Sequence, residues 1–185
     1  MKKHLLATLF LTAFAPVFAQ TIVQRDPQIA ELVGQISADS LRAHINGLVS
    51  FGTRSTLSVS TDTKRGIGAS RQWVLGKFSQ YAKQSGGRMT AVIDTWTLPA
   101  DGRRIDKPTE IGNVLATLKG TDPADDRIFI VQGHIDSRVT NVMNRESDAP
   151  GANDDGSGTA AVIELARVMS KSQFPATIIF AVVSG

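Results

Sequence analysis

The chain has no cysteine, one tyrosine, two tryptophans and three histidines in 185 residues, and no apolar run long enough to cross a bilayer after its first twenty positions. The missing cysteines exclude a disulfide framework, a thiol nucleophile, thiolate metal ligation and a lipid-modified cysteine anchor. Any metal must therefore be held by imidazole and carboxylate groups. The charge is also close to balance, with 20 Lys and Arg against 17 Asp and Glu. Low charge of either sign removes the main argument for a nucleic-acid partner.

What is present suits one globular domain: 42% hydrophobic and 20% charged residues, enough to form a core. The first residues read as a secretory signal: Lys2 and Lys3 precede the apolar stretch Leu5 to Phe14, and Val17-Phe18-Ala19 forms a small-residue cleavage site. The apolar stretch is shorter than the ~20 residues a membrane span needs, and Pro16 interrupts it, so cleavage after Ala19 is expected rather than anchoring. Removal of residues 1 to 19 leaves 18 basic against 17 acidic side chains. The expected product, residues 20 to 185, is exported to the periplasm or the medium, with no membrane association after signal cleavage.

Helical spacing predicts helices over Asp26 to Ile36 and over Ser37 to Val49, the second capped by Ser37. Phe51-Gly52-Thr53-Arg54 through Gly68 is a Ser, Thr and Gly-rich loop, and Ala69 to Gln84 returns to helical period. Trp73, Phe78 and Tyr81 on that helix read as core rather than as a ligand platform. Strands are expected at Met89 to Leu98, Ile111 to Leu118, Arg127 to Gln132 and Ala176 to Val183. A helix over Ser157 to Lys171, with Ala161, Leu165, Val168 and Met169 on one face, joins the last two strands in a βαβ unit. Their continuous apolar runs suit strands buried on both faces and paired in parallel, while the first two strands can form an antiparallel hairpin at one edge. The fold class is α/β, with a mixed, mostly parallel central sheet flanked by helices.

Two short segments carry the chemistry. In Gly133-His134-Ile135-Asp136-Ser137 the histidine follows a strand, where open α/β sheets place ligand sites, and Asp136 at i+2 shares its face. Asp136 can then fix which imidazole nitrogen is free for metal. Alone, a His-x-Asp is more often a hydrogen-bonded structural histidine. In Asn153-Asp154-Asp155-Gly156-Ser157-Gly158, adjacent carboxylates repel one another unless solvated, capping a helix, or holding a cation. Asp155 or Ser157 can cap the following helix, which leaves Asp154 unexplained. The spacing excludes an EF-hand, and the absence of a lysine after the glycines disfavours a phosphate loop.

These segments, with Ala149-Pro150-Gly151-Ala152, Glu164-Leu165-Ala166-Arg167 and Ile178 to Gly185, resemble the co-catalytic two-zinc exopeptidases of the bacterial leucyl aminopeptidase and glutamate carboxypeptidase type. Phe51-Gly52-Thr53-Arg54 and the helix from Gly66 to Phe78 add a weaker likeness upstream. The resemblance implies metal-dependent peptide-bond hydrolysis by a secreted exopeptidase, an aminopeptidase in first place, acting on peptide or aminoacyl substrates. It implies two zinc ions, with His134 a ligand of one, Asp154 bridging both, and Asp136 a catalytic-site residue orienting His134. The family follows a segment like Val183-Ser184-Gly185 with two glutamates, general base and ligand, and later adds an Asp and a His. Those positions lie beyond Gly185, so the chain is expected to be an N-terminal part, inactive alone, with its last strand lacking a neighbour. His4 and His44 do not replace the missing histidine. The competing expectations are a non-catalytic binding module with a vestigial metal site and, less favoured, a glutaminyl-cyclase-like acyltransferase.

Overall fold

A computed structural model describes residues 25–184; the expected signal segment and its cleavage point fall outside the described residues. The order of elements is α1 (Pro27–Gly34), α2 (Ala38–Val49), α3 (Gly66–Ala82), β1 (Met89–Leu98), β2 (Thr109–Leu118), β3 (Ile128–His134), α4 (Gly156–Met169) and β4 (Thr177–Val183). Each start has a local cause. Asp26 Oδ1 accepts from the amides of Gln28 and Ile29, and Pro27 sits at the first helical position, where its missing N–H costs nothing. Ser37 Oγ accepts from the amide of Ser40 at the head of α2, as the sequence predicts. No helix among the described residues is long and apolar enough to cross a membrane.

The sheet has the order β1-β2-β4-β3. β1 and β2 are an antiparallel hairpin in unbroken register from Met89 opposite Leu118 to Leu98 opposite Thr109. β2 pairs antiparallel with β4, and β3 pairs parallel with β4, from Ile128 opposite Thr177 to His134 opposite Val183. The mixed α/β sheet is as expected, but only one of these three pairings is parallel. The last strand does not lack a neighbour either: β4 is central, with β2 on one side and β3 on the other, because the crossover through α4 returns it between them.

β3 departs from its reading as a strand buried on both faces. Ile128, Phe129 and Ile130 are 59%, 53% and 61% exposed, since β3 forms one edge of the described sheet and α4 covers only its C-terminal end. An apolar run shows what a strand can bury, not whether neighbours cover it. β4 meets the expectation, with Ile178, Phe180, Ala181 and Val182 buried.

The core lies between the sheet and the layer formed by α2, α3 and α4, where Leu48, Ile67, Val74, Phe78, Val162 and Ile163 pack against Val114, Phe180 and Val182. Each fully buried aliphatic of this set contributes about 1.5–3 kcal/mol. Tyr81 and Phe78 are buried and Trp73 packs against the same cluster, so the aromatics of α3 are core. On α4 the inward stripe is Val162, Ile163, Ala166 and Val168, the last as expected, while Ala161 is exposed and Leu165 and Met169 are only partly buried. Glu164 also points inward. At 1% exposure its carboxylate accepts from the Ser37 amide and from Arg167, tying the α1–α2 junction to α4.

Candidate metal centre

His134 is the last residue of β3, and the first turn of α4 is pressed against that strand end by the absence of side chains. A Cβ on Gly133 would lie 2.7 Å from the carbonyl carbon of Gly158. This contact allows Asp155 to serve both elements: Oδ1 accepts from the Gly158 amide as the N-cap of α4, and Oδ2 accepts from the His134 amide at 2.9 Å. Thr159 Oγ1 closes the joint by donating to the His134 carbonyl. Capping by Asp155 is what the sequence allowed, and the bond to His134 is an addition it did not announce. The peptide between Asp154 and Asp155 is cis.

Asp136 lies beside the ring as expected, with Oδ1 3.1 Å from His134 Nδ1. A carboxylate can only accept, so Nδ1 carries the proton and the lone pair of the neutral ring is on Nε2. Nε2 faces Asp154 Oδ1 at 3.0 Å. Asp154, the carboxylate that capping left unexplained, has a side chain 88% exposed, and that of His134 is 41% exposed. The structure thus brings together all three site residues expected from the sequence.

Two electron pairs facing one another at this distance repel unless a proton or a cation lies between them. Without a metal, a proton can fill that role. Burial lowers the basicity of His134, but Asp136, Asp155 and Asp154 outweigh it and hold the imidazole above its ordinary pKa. A divalent metal would replace the proton: one nitrogen and one carboxylate oxygen suit zinc, and two donors bound to one tetrahedral zinc are ~3.3 Å apart. The residues present fit part of a zinc site. Among the described residues no cluster of three or more such side chains able to hold a metal is formed.

The pair opens into a depression of about 640 Å³ whose walls include Asp136, Arg138, Asp148 and Asn153. A second hollow of about 270 Å³, with Leu57, Leu98, Ile105 and Ile111 in its walls, shares Asp136 and Arg138 with it. His44, set aside as a ligand from the sequence, is indeed elsewhere. It is buried on α2 against Trp73, with Nε2 3.7 Å from Glu164 Oε2. Burial and Lys77 depress its pKa, so it is neutral at pH 7 and this approach is a packing contact rather than an ion pair.

In the sequence, Arg54 stands out only as part of the Phe51-Gly52-Thr53-Arg54 likeness. In the structure it is fully buried below the site. No local signal marks such a residue, since an arginine in a polar loop is ordinarily exposed.

Residues 113–185 match the model of Peptidase family M28. The chain is 47% identical over 160 residues to a protein of Pyricularia oryzae named "Probable zinc metalloprotease", covering 86% of this chain and 32% of that one. A similarly named protein of Leptosphaeria maculans is 46% identical, with 86% and 37% covered. The chain therefore spans about a third of the length of the curated relatives it matches. Among solved structures, the LapA aminopeptidase of Legionella pneumophila superposes with a TM-score of 0.62 at 19% identity, over 97% of this chain and 43% of that one. A glutaminyl cyclase of Bacteroides thetaiotaomicron superposes with a TM-score of 0.58 at 21% identity, over 78% and 45%. At such identities these likenesses establish the fold alone, which aminopeptidases and glutaminyl cyclases share.

Proposed function

From the premise that residues 113–185 match Peptidase family M28, we propose that this protein is a zinc-dependent peptidase and that His134 and Asp154 are ligands of its metal centre. One observation carries the reading: Nε2 of His134, its other nitrogen committed to Asp136, faces Asp154 Oδ1 at 3.0 Å. The relatives named as zinc metalloproteases support the metal and the reaction class.

The roles of the residues follow from their chemistry. Asp136 keeps the Nδ1 proton in place and so presents the Nε2 lone pair outward. Asp155 holds the His134 backbone against the head of α4, which keeps both arms of the site in fixed relation. Asp154, exposed and carrying two oxygens, is suited to bridging two ions. Bound zinc supplies polarisation of a peptide carbonyl and a water acidic enough to act as nucleophile near neutral pH.

The finer reading is a secreted aminopeptidase with two zinc ions that takes peptide or aminoacyl substrates. The fold, shared with the LapA aminopeptidase, is compatible with that bond position, and the segment Lys2 to Ala19 supports export. Full-length protein should release the N-terminal residue from short peptides and aminoacyl amides, lose activity with chelator and regain it with zinc. Asp154→Ala should remove the activity. Hydrolysis that survives either treatment overturns the reading, and cleavage confined to blocked N-termini overturns the aminopeptidase assignment.

A further inference from the structure

Arg54 has the largest fully buried side chain among the described residues, and its place is not accounted for by packing. Its Nε donates to the Ile135 carbonyl at 2.7 Å, Nη1 to those of Leu48 at 3.1 Å and Pro150 at 2.6 Å, and Nη2 to that of Gly151 at 2.9 Å. Its backbone is stitched to the same region. The Arg54 amide donates to Ser137 Oγ, the Ser137 amide donates to the Arg54 carbonyl, and Ser137 Oγ donates to the Ala149 carbonyl. Ile135 directly follows His134, and Gly151 lies on the turn that leads into Asp154. One planar group with a rigid set of donors therefore spans the two chain segments that carry the proposed ligands.

The junction is tight enough to transmit position. Gly151 adopts φ +47°, and a Cβ there would lie 2.5 Å from the Ser137 Cβ and 3.0 Å from Arg54 Nη2. Neither segment can slide without breaking a guanidinium bond. The charge has a purpose as well. Burying a cation is costly, and four neutral carbonyls offset that cost only in part. The charges that reach Arg54 are the carboxylates of Asp136 and Asp155, the two groups that hold His134. An arginine here supplies both a fixed spacing and a counter-charge below a cluster of aspartates.

We propose that Arg54, seated on Ser137, is the positioning residue of the metal site: its guanidinium joins Ile135 to Pro150 and Gly151 and thereby sets the separation of His134 from Asp154. The inference rests on the reading of those two residues as metal ligands. It extends that reading from the donors to the group that spaces them.

The test is metal binding by full-length protein, unaltered and with Arg54→Lys, Ser137→Ala or His134→Ala. Zinc affinity is read by competition with a chelating dye, and ligand geometry by the visible absorption of bound cobalt(II). Thermal unfolding in chelator verifies that each metal-free variant is folded at the assay temperature. Lysine keeps the charge but not the fork, so Arg54→Lys is expected to weaken zinc binding about 10- to 100-fold and to alter the cobalt band. Ser137→Ala loosens the same junction with the guanidinium retained, and is expected to weaken zinc binding severalfold. It decides the matter alone if Arg54→Lys does not fold. Zinc affinity within twofold of the unaltered protein, with an unchanged cobalt spectrum, overturns the proposal. His134→Ala separates the two levels: if it binds metal like the unaltered protein, the ligand reading and this inference fall together. If it loses the metal while the Arg54 and Ser137 variants keep it, only the positioning role falls.

Discussion

The backbone amide of His134 donates to Asp155 Oδ2 at 2.9 Å, and the other oxygen of that carboxylate caps α4 through the Gly158 amide. The end of a strand and the start of a helix are thus held by one side chain. Asp155→Ala removes both bonds. A lost cap costs about 1 kcal/mol, and an orphaned part-buried amide costs about as much again. Denaturant unfolding should show about 2 kcal/mol of destabilisation, and a change under 0.5 kcal/mol would contradict the joint.

Gly133 supports the same joint by what it lacks. A Cβ there would meet the backbone of Gly158 and Thr159 at under 3 Å, and backbone cannot move aside as a flexible side chain can. Gly133→Ala should destabilise the fold by about 1–3 kcal/mol and weaken metal binding along with it. Its Tm falling while metal affinity stays intact would mean that the strand end and the helix move independently.

Asp136→Asn tests the proton on Nδ1. An amide can donate to Nδ1 as well as accept from it, so the ring can take the tautomer whose proton sits on Nε2 and blocks the metal. Zinc affinity should drop about 10- to 100-fold, and because Asp136 is also a counter-charge to buried Arg54 the unfolding free energy should fall as well. Nitrogen-15 chemical shifts of the His134 ring in the metal-free protein, recorded at a pH where the ring is neutral, would read the tautomer directly, and an unchanged Nδ1–H would rule the explanation out.

The elements themselves were plain in the sequence. The cap at Ser37, the hairpin of β1 and β2, and the parallel βαβ unit follow from local chemistry and period, and His134, Asp136 and Asp154 stand out by residue type and spacing. What the sequence left hidden depends on distant neighbours. The exposure of Ile128 to Ile130 is decided by which strands lie beside β3, and the central place of β4 by a crossover. Arg54 gives no local sign of burial, because its four carbonyl partners come from three separate segments. Glu164 likewise gives no local sign of burial on α4 and is held inside by Ser37 and Arg167.

Glu164 and His44 each contribute to the response to acid. Burial raises the Glu164 pKa, but the bonds from Arg167 and Ser37 outweigh it and the folded value lies below its ordinary 4.5. Its contribution is therefore present above about pH 4.5 and lost as pH falls through the lower folded value. His44 is depressed below 6.5 by burial and by Lys77, so the unfolded chain takes up a proton that the folded one refuses, and stability declines as pH falls below about 6.5. Urea unfolding of metal-free protein should show both stages. His44→Gln should flatten the upper stage and Glu164→Gln the lower, and a profile unchanged by either would remove these groups as the cause.

The guanidinium of Arg54 joins partners 81 and 96 residues away along the chain, which gives the site a place in the order of folding. The β1–β2 hairpin and α4 can form from near neighbours, but Ile135, Pro150 and Gly151 meet Arg54 only after the long loops have closed. A chain caught part-way has His134 and Asp154 on separate segments, without the 3.0 Å approach proposed to hold a metal. On the proposed reading of the site, metal binding would come last and would add stability only to molecules that have completed the fold.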